Sequence, residues 1–277
     1  MTAPWNHRSV IGKLNFLAQN TRPDISFAVH QCARFVQSPR KSHEEAVKYM
    51  CRYLLKTRDK GMILRPNGEH RLTTHVDADF CGLFSRGTAH LREASVSRTG
   101  YIIEYAGCPI IWLSKLQTEI ALSTCEAEYI ALSMSMRSLL PLRTLLREIS
   151  STFVTATPHK TLTRRVGRAR CNVITKQLQS YVYEDNQGAL EIANQDAKYR
   201  PRTKHIAIKW HHFRDQIRSG AVTVKKIGTA VQNADLLTKA LPQRQFETLR
   251  KLIMGWESST TDLFPFTLVS FASLFTE

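Results

Sequence analysis

The chain has 277 residues, 43% of them hydrophobic, which is enough for one or two packed domains and excludes global disorder. Its 39 lysines and arginines against 23 acids leave a formal charge of +16, so the expected partner is a polyanion. The six cysteines are scattered with no C-x-x-C pair, which excludes a zinc knuckle and a disulfide framework; they read as reduced intracellular thiols.

Met1–Gly12 has no signal-peptide character. The first third is helical in pattern. SVIGKLNFLAQ, DISFAVHQCARFVQ and HEEAVKYMCRYLLKT each carry apolar residues at three- and four-residue spacing, and Pro23 and Pro39 separate them. Ser42 and Glu45 form an S-x-x-E capping box for the third segment. At Arg71 the period changes to two. RLTTHVDADF places Thr73, His75, Asp77 and Asp79 on one face of a strand and Leu72, Thr74, Val76, Ala78 and Phe80 on the other.

RTGYIIEYA and PIIWLSKL follow as strands joined by a turn at Gly107–Pro109. A long helix is predicted from about Thr124, with Leu132, Met136, Leu139, Leu142, Leu145 and Leu146 on its apolar side; Pro141 falls inside it, where a proline kinks or breaks the axis. The remaining elements are the strand SYVYED, a short helix NQGALEIAN, a longer helix KHIAIKWHHFRDQIRSG, the strand AVTVKKI and a final helix NADLLTKALPQRQFETLRKLIMGW. This order describes an α/β fold, a mixed sheet with helices packed on it. From Ile149 to Tyr183 there is no acid, while Lys160, Arg164, Arg165, Arg168, Arg170 and Lys176 are all present. That run is either a phosphate-gripping arm or a solvated insertion. The late apolar stretch Leu263–Phe275 is shorter than the roughly 20 residues of a spanning helix and contains a proline, so no membrane partner is expected.

Four acids stand where strands end or helices begin: Asp77, Glu126, Asp185 and Asp235. Each has a plainer reading. Asp77 could face solvent beside Asp79, Glu126 fits a capping box with Ser123, Asp185 could cap the helix after it, and Asp235 could complement a helix dipole. If the first strand runs parallel to the fourth, with the long helix as crossover, the acids converge. Bare carboxylates so close repel one another until a divalent cation neutralises them, and oxygen-only ligands suit Mg²⁺, with Mn²⁺ as a substitute. Two such ions about 3.5–4 Å apart are a route to phosphodiester hydrolysis, in which Asp77 would bridge both, Glu126 and Asp185 would flank one, and Asp235 would complete the other. His205, His211 and His212, without a cysteine partner, read as packing or surface residues.

Several blocks, in order, resemble the ribonuclease H domain at the carboxyl end of copia-type (Pseudoviridae) retrotransposon polyproteins: VDADF, SRTGYIIEYAGCPIIWLSKLQTEIALSTCEAEYIAL, YEDNQGALEIA, RTKHIAIKWHHFRDQI and ADLLTKAL. Upstream, SVIGKLNFLAQNTRPDISFAVHQCARF and AVKYMCRYLLKT resemble the segment joining the polymerase to that domain. The resemblance implies a ribonuclease H-like mixed five-stranded sheet with flanking helices, preceded by a small helical module. It divides the chain into a connection module over 1–70, a ribonuclease H-like domain over 71–256 with a basic insertion at 150–179, and a divergent tail over 257–277. It implies Mg²⁺-dependent cleavage of the RNA strand of an RNA–DNA hybrid, with Asp77, Glu126, Asp185 and Asp235 as catalytic metal ligands and the rest of a polyprotein as a further partner. Lys115, Thr124, Asn186, Gln187, Arg202, Lys204 and His205 are the candidate hybrid contacts, reading A-form shape and phosphate charge without sequence preference. The rival reading is an inactive nucleic-acid-binding remnant with the same fold. No tyrosine-rich double-aspartate motif is present, so DNA synthesis is not expected, and no His-His-Cys-Cys module supports an integrase.

Overall fold

The structure, a computed structural model, describes residues 6–82, 84, 86, 88, 90, 94–155, 178–194 and 212–256, with side chains described in that set except at 152–155. Most of the basic insertion, the tail over 257–277 and the predicted helix as far as His211 lie outside the described residues. Three helices come first: α1 (His7–Asn20), α2 (Ser26–Ala33, entered through a single tight turn at Pro23–Ile25) and α3 (Lys41–Lys56). The Ser42–Glu45 box does not form, because α3 begins two residues earlier, at Lys41. Arg40 is the cap, and its N–H donates to His43 Nδ1 at 3.0 Å.

The sheet is built from β1 (Arg71–Asp79), β2 (Arg98–Tyr105), β3 (Cys108–Leu116), β4 (Gln179–Glu184) and β5 (Thr223–Lys226), in the spatial order β3-β2-β1-β4-β5. The pairs β1–β2 and β2–β3 are antiparallel, while β1–β4 and β4–β5 are parallel. This is the expected ribonuclease H-like mixed five-stranded sheet. The β2–β3 turn falls at Ala106–Gly107, where φ is +52° and +78°, and not at Gly107–Pro109. Two consecutive positive φ values give the tight hairpin turn that matches strand twist, and they leave Pro109 inside β3, an edge strand that tolerates its missing donor.

Helix α4 (Thr124–Thr155) links β1–β3 to β4 and passes through Pro141 without ending. Pro141 offers no N–H to the Arg137 carbonyl, and both residues are on the solvent side, where the missing helix bond costs least. Leu132, Met136 and Leu139 are buried, Leu142 and Leu146 half-buried, and Leu145 is exposed. Helices α5 (Gln187–Asn194) and α6 (Arg214–Arg218) follow β4. The single predicted terminal helix is two, α7 (Asp235–Thr238) and α8 (Gln243–Met254). Pro242 caps α8, and α7 has already ended at Lys239, which is extended at φ −122°, ψ 152°.

Each face of the sheet carries its own core. Leu72, Val76, Tyr101, Ile103 and Val182 pack under α4. On the other face Ile102 and Trp112 meet the three N-terminal helices together with Leu236, Leu237 and Phe246 of α7 and α8. The second core therefore spans the boundary placed at residue 70, and the Trp112 indole N–H donates to the Ala18 carbonyl at 2.6 Å across it. With both faces covered, β1 is buried continuously from Thr74 to Ala78. Asp77 sits inside that run and has no solvated edge to face. No helix among the described residues is long and apolar enough to cross a membrane.

Candidate metal centre

The strand register sets the site. In the parallel β1–β4 pair His75 lies opposite Tyr183, so two residues further on Asp185 is level with Asp77. Asp77 is fully buried on the central strand, and Asp185, just past β4, is half-buried. The third acid comes from the second turn of α4, and it is Glu128. One oxygen from each of Asp77, Glu128 and Asp185 lies within 4.8 Å of the others, a spacing at which a single cation can be held by all three.

Glu126 is elsewhere. Its Oε2 accepts the Leu122 N–H at 2.8 Å, while its own N–H donates to Ser123 Oγ at 3.1 Å: the serine half of the predicted box forms, and the carboxylate caps the residue before the serine. Residues two apart on a helix differ by about 200° in direction, so a carboxylate at 126 and one at 128 do not face the same partner. The signal for Glu128 was present in the sequence. Extending the Leu132–Met136–Leu139 stripe back by four residues lands on Glu128, the position that looks toward the sheet.

Asp235, in the first turn of α7, is buried and joins the site through a cation. Lys239 Nζ lies 2.9 Å from Asp77 Oδ1 and 2.7 Å from Asp235 Oδ1. Thr238 donates its hydroxyl to Asp77 Oδ2. Consecutive residues at the end of α7 thus hold both oxygens of Asp77. That approach needs Gly100, which is paired with Asp77 on β2: a Cβ there would lie 2.5 Å from Thr238 Cγ2 and 2.9 Å from Leu237 Cβ. Asp185 Oδ2 accepts from the Thr229 hydroxyl at 3.1 Å. It does not cap α5, because that role falls to Asn186, whose Oδ1 accepts the Ala189 N–H at 3.0 Å.

Charge in the cluster is unbalanced. Glu184, fully buried beside Asp185, accepts the Asn186 N–H at 3.1 Å with one oxygen and has no partner among the described residues on the other. Glu128 Oε2 is likewise buried, with no partner among the described residues. Burial, then the neighbouring carboxylates, hold both glutamates well above the usual carboxylate range. Burial followed by the Asp77 charge raises Asp235 to about 6. Burial alone would depress the Lys239 ammonium, but Asp77 and Asp235 outweigh it and carry it upward. An orphaned acceptor inside an oxygen-only cluster of excess negative charge fits a hard divalent cation.

Of the candidate hybrid contacts, Lys115 and Thr124 are exposed, on β3 and at the start of α4. Gln187 is exposed and bonds Glu191 at 3.1 Å, and Asn186 is the α5 cap. Arg202, Lys204, His205 and His211 lie outside the described residues. His212 is close to Ser133, with Nδ1 3.4 Å from its Oγ, and stands edge-on to Phe213, as its packing role implied. The five described cysteines are free.

No family model matches the chain. It is 32% identical over 247 residues to the retrovirus-related Pol polyprotein from transposon TNT 1-94 of Nicotiana tabacum, a match covering 89% of this chain and 16% of that protein. Similar matches run to the Pol polyproteins of transposons RE1 and RE2 of Arabidopsis thaliana, at 32% over 253 residues and 31% over 250, covering 91% and 90% of this chain. The chain spans 15% of the length of each of these two relatives.

Proposed function

Because the chain belongs to the copia-type retrotransposon Pol polyproteins, we propose that it is their ribonuclease H part and hydrolyses the RNA strand of RNA–DNA hybrids with a divalent cation, Mg²⁺ or Mn²⁺. The observation that carries this reading is the convergence of Asp77, Glu128 and Asp185 on one point from three separate elements. These three side chains would hold the ion, which when bound supplies a Lewis acid to a phosphoryl oxygen and acidifies water. Thr238 and Thr229 fix Asp77 and Asp185 in place, and Glu184 adds negative charge behind them. Hydrolysis forms one bond from a water oxygen to phosphorus and breaks one bridging P–O bond. The carboxylates orient the participants, and the basic surface recruits the duplex through its phosphates.

The test is cleavage of a labelled RNA–DNA hybrid in Mg²⁺ by the parent chain beside Asp185→Asn. Cleavage by the parent alone is the expected result. Binding of the hybrid by both with cleavage by neither would overturn the enzyme and leave the inactive nucleic-acid-binding remnant. Binding should weaken steeply with salt as phosphate neutralisation releases counterions.

A further inference from the structure

Two-ion phosphodiester hydrolysis needs a cation between Asp77 and Asp235 as well as one among Asp77, Glu128 and Asp185. The first of those places is where the Lys239 ammonium lies, at hydrogen-bond distance from one oxygen of each acid. A Mg²⁺ bridging the same pair would sit about 2.0–2.1 Å from its oxygens, in the space the ammonium fills. Lys239 is not an arm wandering in from solvent. It directly follows Thr238, whose hydroxyl is bonded to Asp77, and the two are pressed onto β1 by the close α7–β2 approach that Gly100 permits. Its side chain is two-thirds covered, with an exposure of 33%. Each carboxylate oxygen has more than one acceptor direction, so Asp77 can bind the ammonium and still share an ion with Glu128 and Asp185. Glu128 Oε2, buried and without a partner among the described residues, marks where that ion belongs.

We infer that Lys239 is a built-in second cation: the site takes one divalent ion, held by Asp77, Glu128 and Asp185, and the Lys239 ammonium holds the place between Asp77 and Asp235 that a second ion would occupy. This rests on the metal-dependent reading above. Asp235 is then a ligand of the ammonium, and Lys239 acts by positioning both acids and by supplying fixed positive charge on that side of the scissile phosphate.

The experiment counts Mn²⁺ ions bound per chain by electron paramagnetic resonance on the full 277-residue protein, taking as site-bound those lost in Asp77→Asn. One site-bound ion is expected in the parent. Two are expected in Lys239→Met, which keeps the aliphatic stem and removes the charge, and one again in the double variant Lys239→Met/Asp235→Asn. Two ions in the parent would overturn the inference while leaving metal dependence intact. None in the parent would overturn the metal-dependent reading and this inference with it. One ion in both the parent and a folded Lys239→Met would overturn the role given to Lys239. The parent count decides the question even if Lys239→Met does not fold.

Discussion

Two buried clusters of charge among the described residues are solved in opposite ways. Between the N-terminal helices and the end of α8, Arg22 donates to both oxygens of Asp24 at 2.9 and 2.8 Å and to Thr57 Oγ1 at 2.9 Å. The Tyr53 hydroxyl donates to Asp24 at 2.5 Å, and the guanidinium stacks 5.3 Å from the Trp256 ring. Both Asp24 oxygens are met, and the Arg250 guanidinium, 3.4 Å from the Tyr53 hydroxyl, adds a further positive charge. At the end of β1 the carboxylates of Asp77, Glu128, Glu184, Asp185 and Asp235 lie together, one ammonium bonds Asp77 and Asp235, and two glutamate oxygens have no partner among the described residues. A buried charge that is fully paired holds elements together. One left in surplus costs stability and makes its surroundings a candidate functional site.

Glu128→Gln should break the contrast most sharply. Cleavage of the hybrid should fall by roughly a thousandfold, about 4 kcal/mol of barrier. Thermal stability in the absence of metal should stay the same or rise, because one charge leaves a repelling cluster. Initial rates and a melting curve on the same preparation check both halves, and an active Glu128→Gln would remove the basis of the site. Arg22→Met should do the reverse. It strands Asp24 in the interior and should cost about 3 kcal/mol in urea unfolding, while the folded fraction keeps its cleavage rate.

The fold was legible because the periods were clean. Alternation at Arg71–Phe80 and the three-four spacing of α1 to α3 named their elements, and the parallel pairing of β1 with β4 followed from the long helix between them. Asp77, Asp185 and Asp235 were legible for the same reason, since each sits at the end of an element whose pattern is strong. Glu128 was missed because Glu126 stands in a tidy Ser-x-x-Glu spacing and drew attention, although that spacing is itself a sufficient job for a carboxylate. The split between α7 and α8 was missed because the apolar spacing runs through Pro242 unbroken. Lys239 gave no signal at all: a lysine three residues before a proline becomes a site residue only when β1 packs beneath it.

The Glu126–Glu128 pair gives a smaller but cleaner separation of structure from chemistry. Glu126→Ala, which removes the acceptor, should lower stability by about 1 kcal/mol, the scale of a helix cap, and leave cleavage within a few-fold of the parent. A loss of activity equal to that of Glu128→Gln, at unchanged stability, would return the metal-ligand role to Glu126.

A third buried group lies between the two extremes and yields the smallest effect. Arg98, paired with Asp79 across β1–β2, donates to His30 Nδ1 at 2.8 Å and to Ser114 Oγ at 3.2 Å, with its other terminal nitrogen unpartnered. Burial, then Arg34, lowers this guanidinium to about 9. Burial and then Arg98 push His30 down to about 3, so it stays neutral and accepts the Arg98 N–H. An unfolded chain takes up a proton on this histidine near its ordinary value of about 6.5, whereas the folded chain refuses it until about 3. Between those values the unfolded state binds more protons, so stability is full above about 6.5 and declines as pH falls through that window. His30→Gln should keep an acceptor for Arg98 while flattening the dependence of unfolding free energy on pH between 6 and 4 by about one proton. An unchanged slope would mean that His30 titrates as it does in water, and that Arg98 is held by something other than a neutral imidazole.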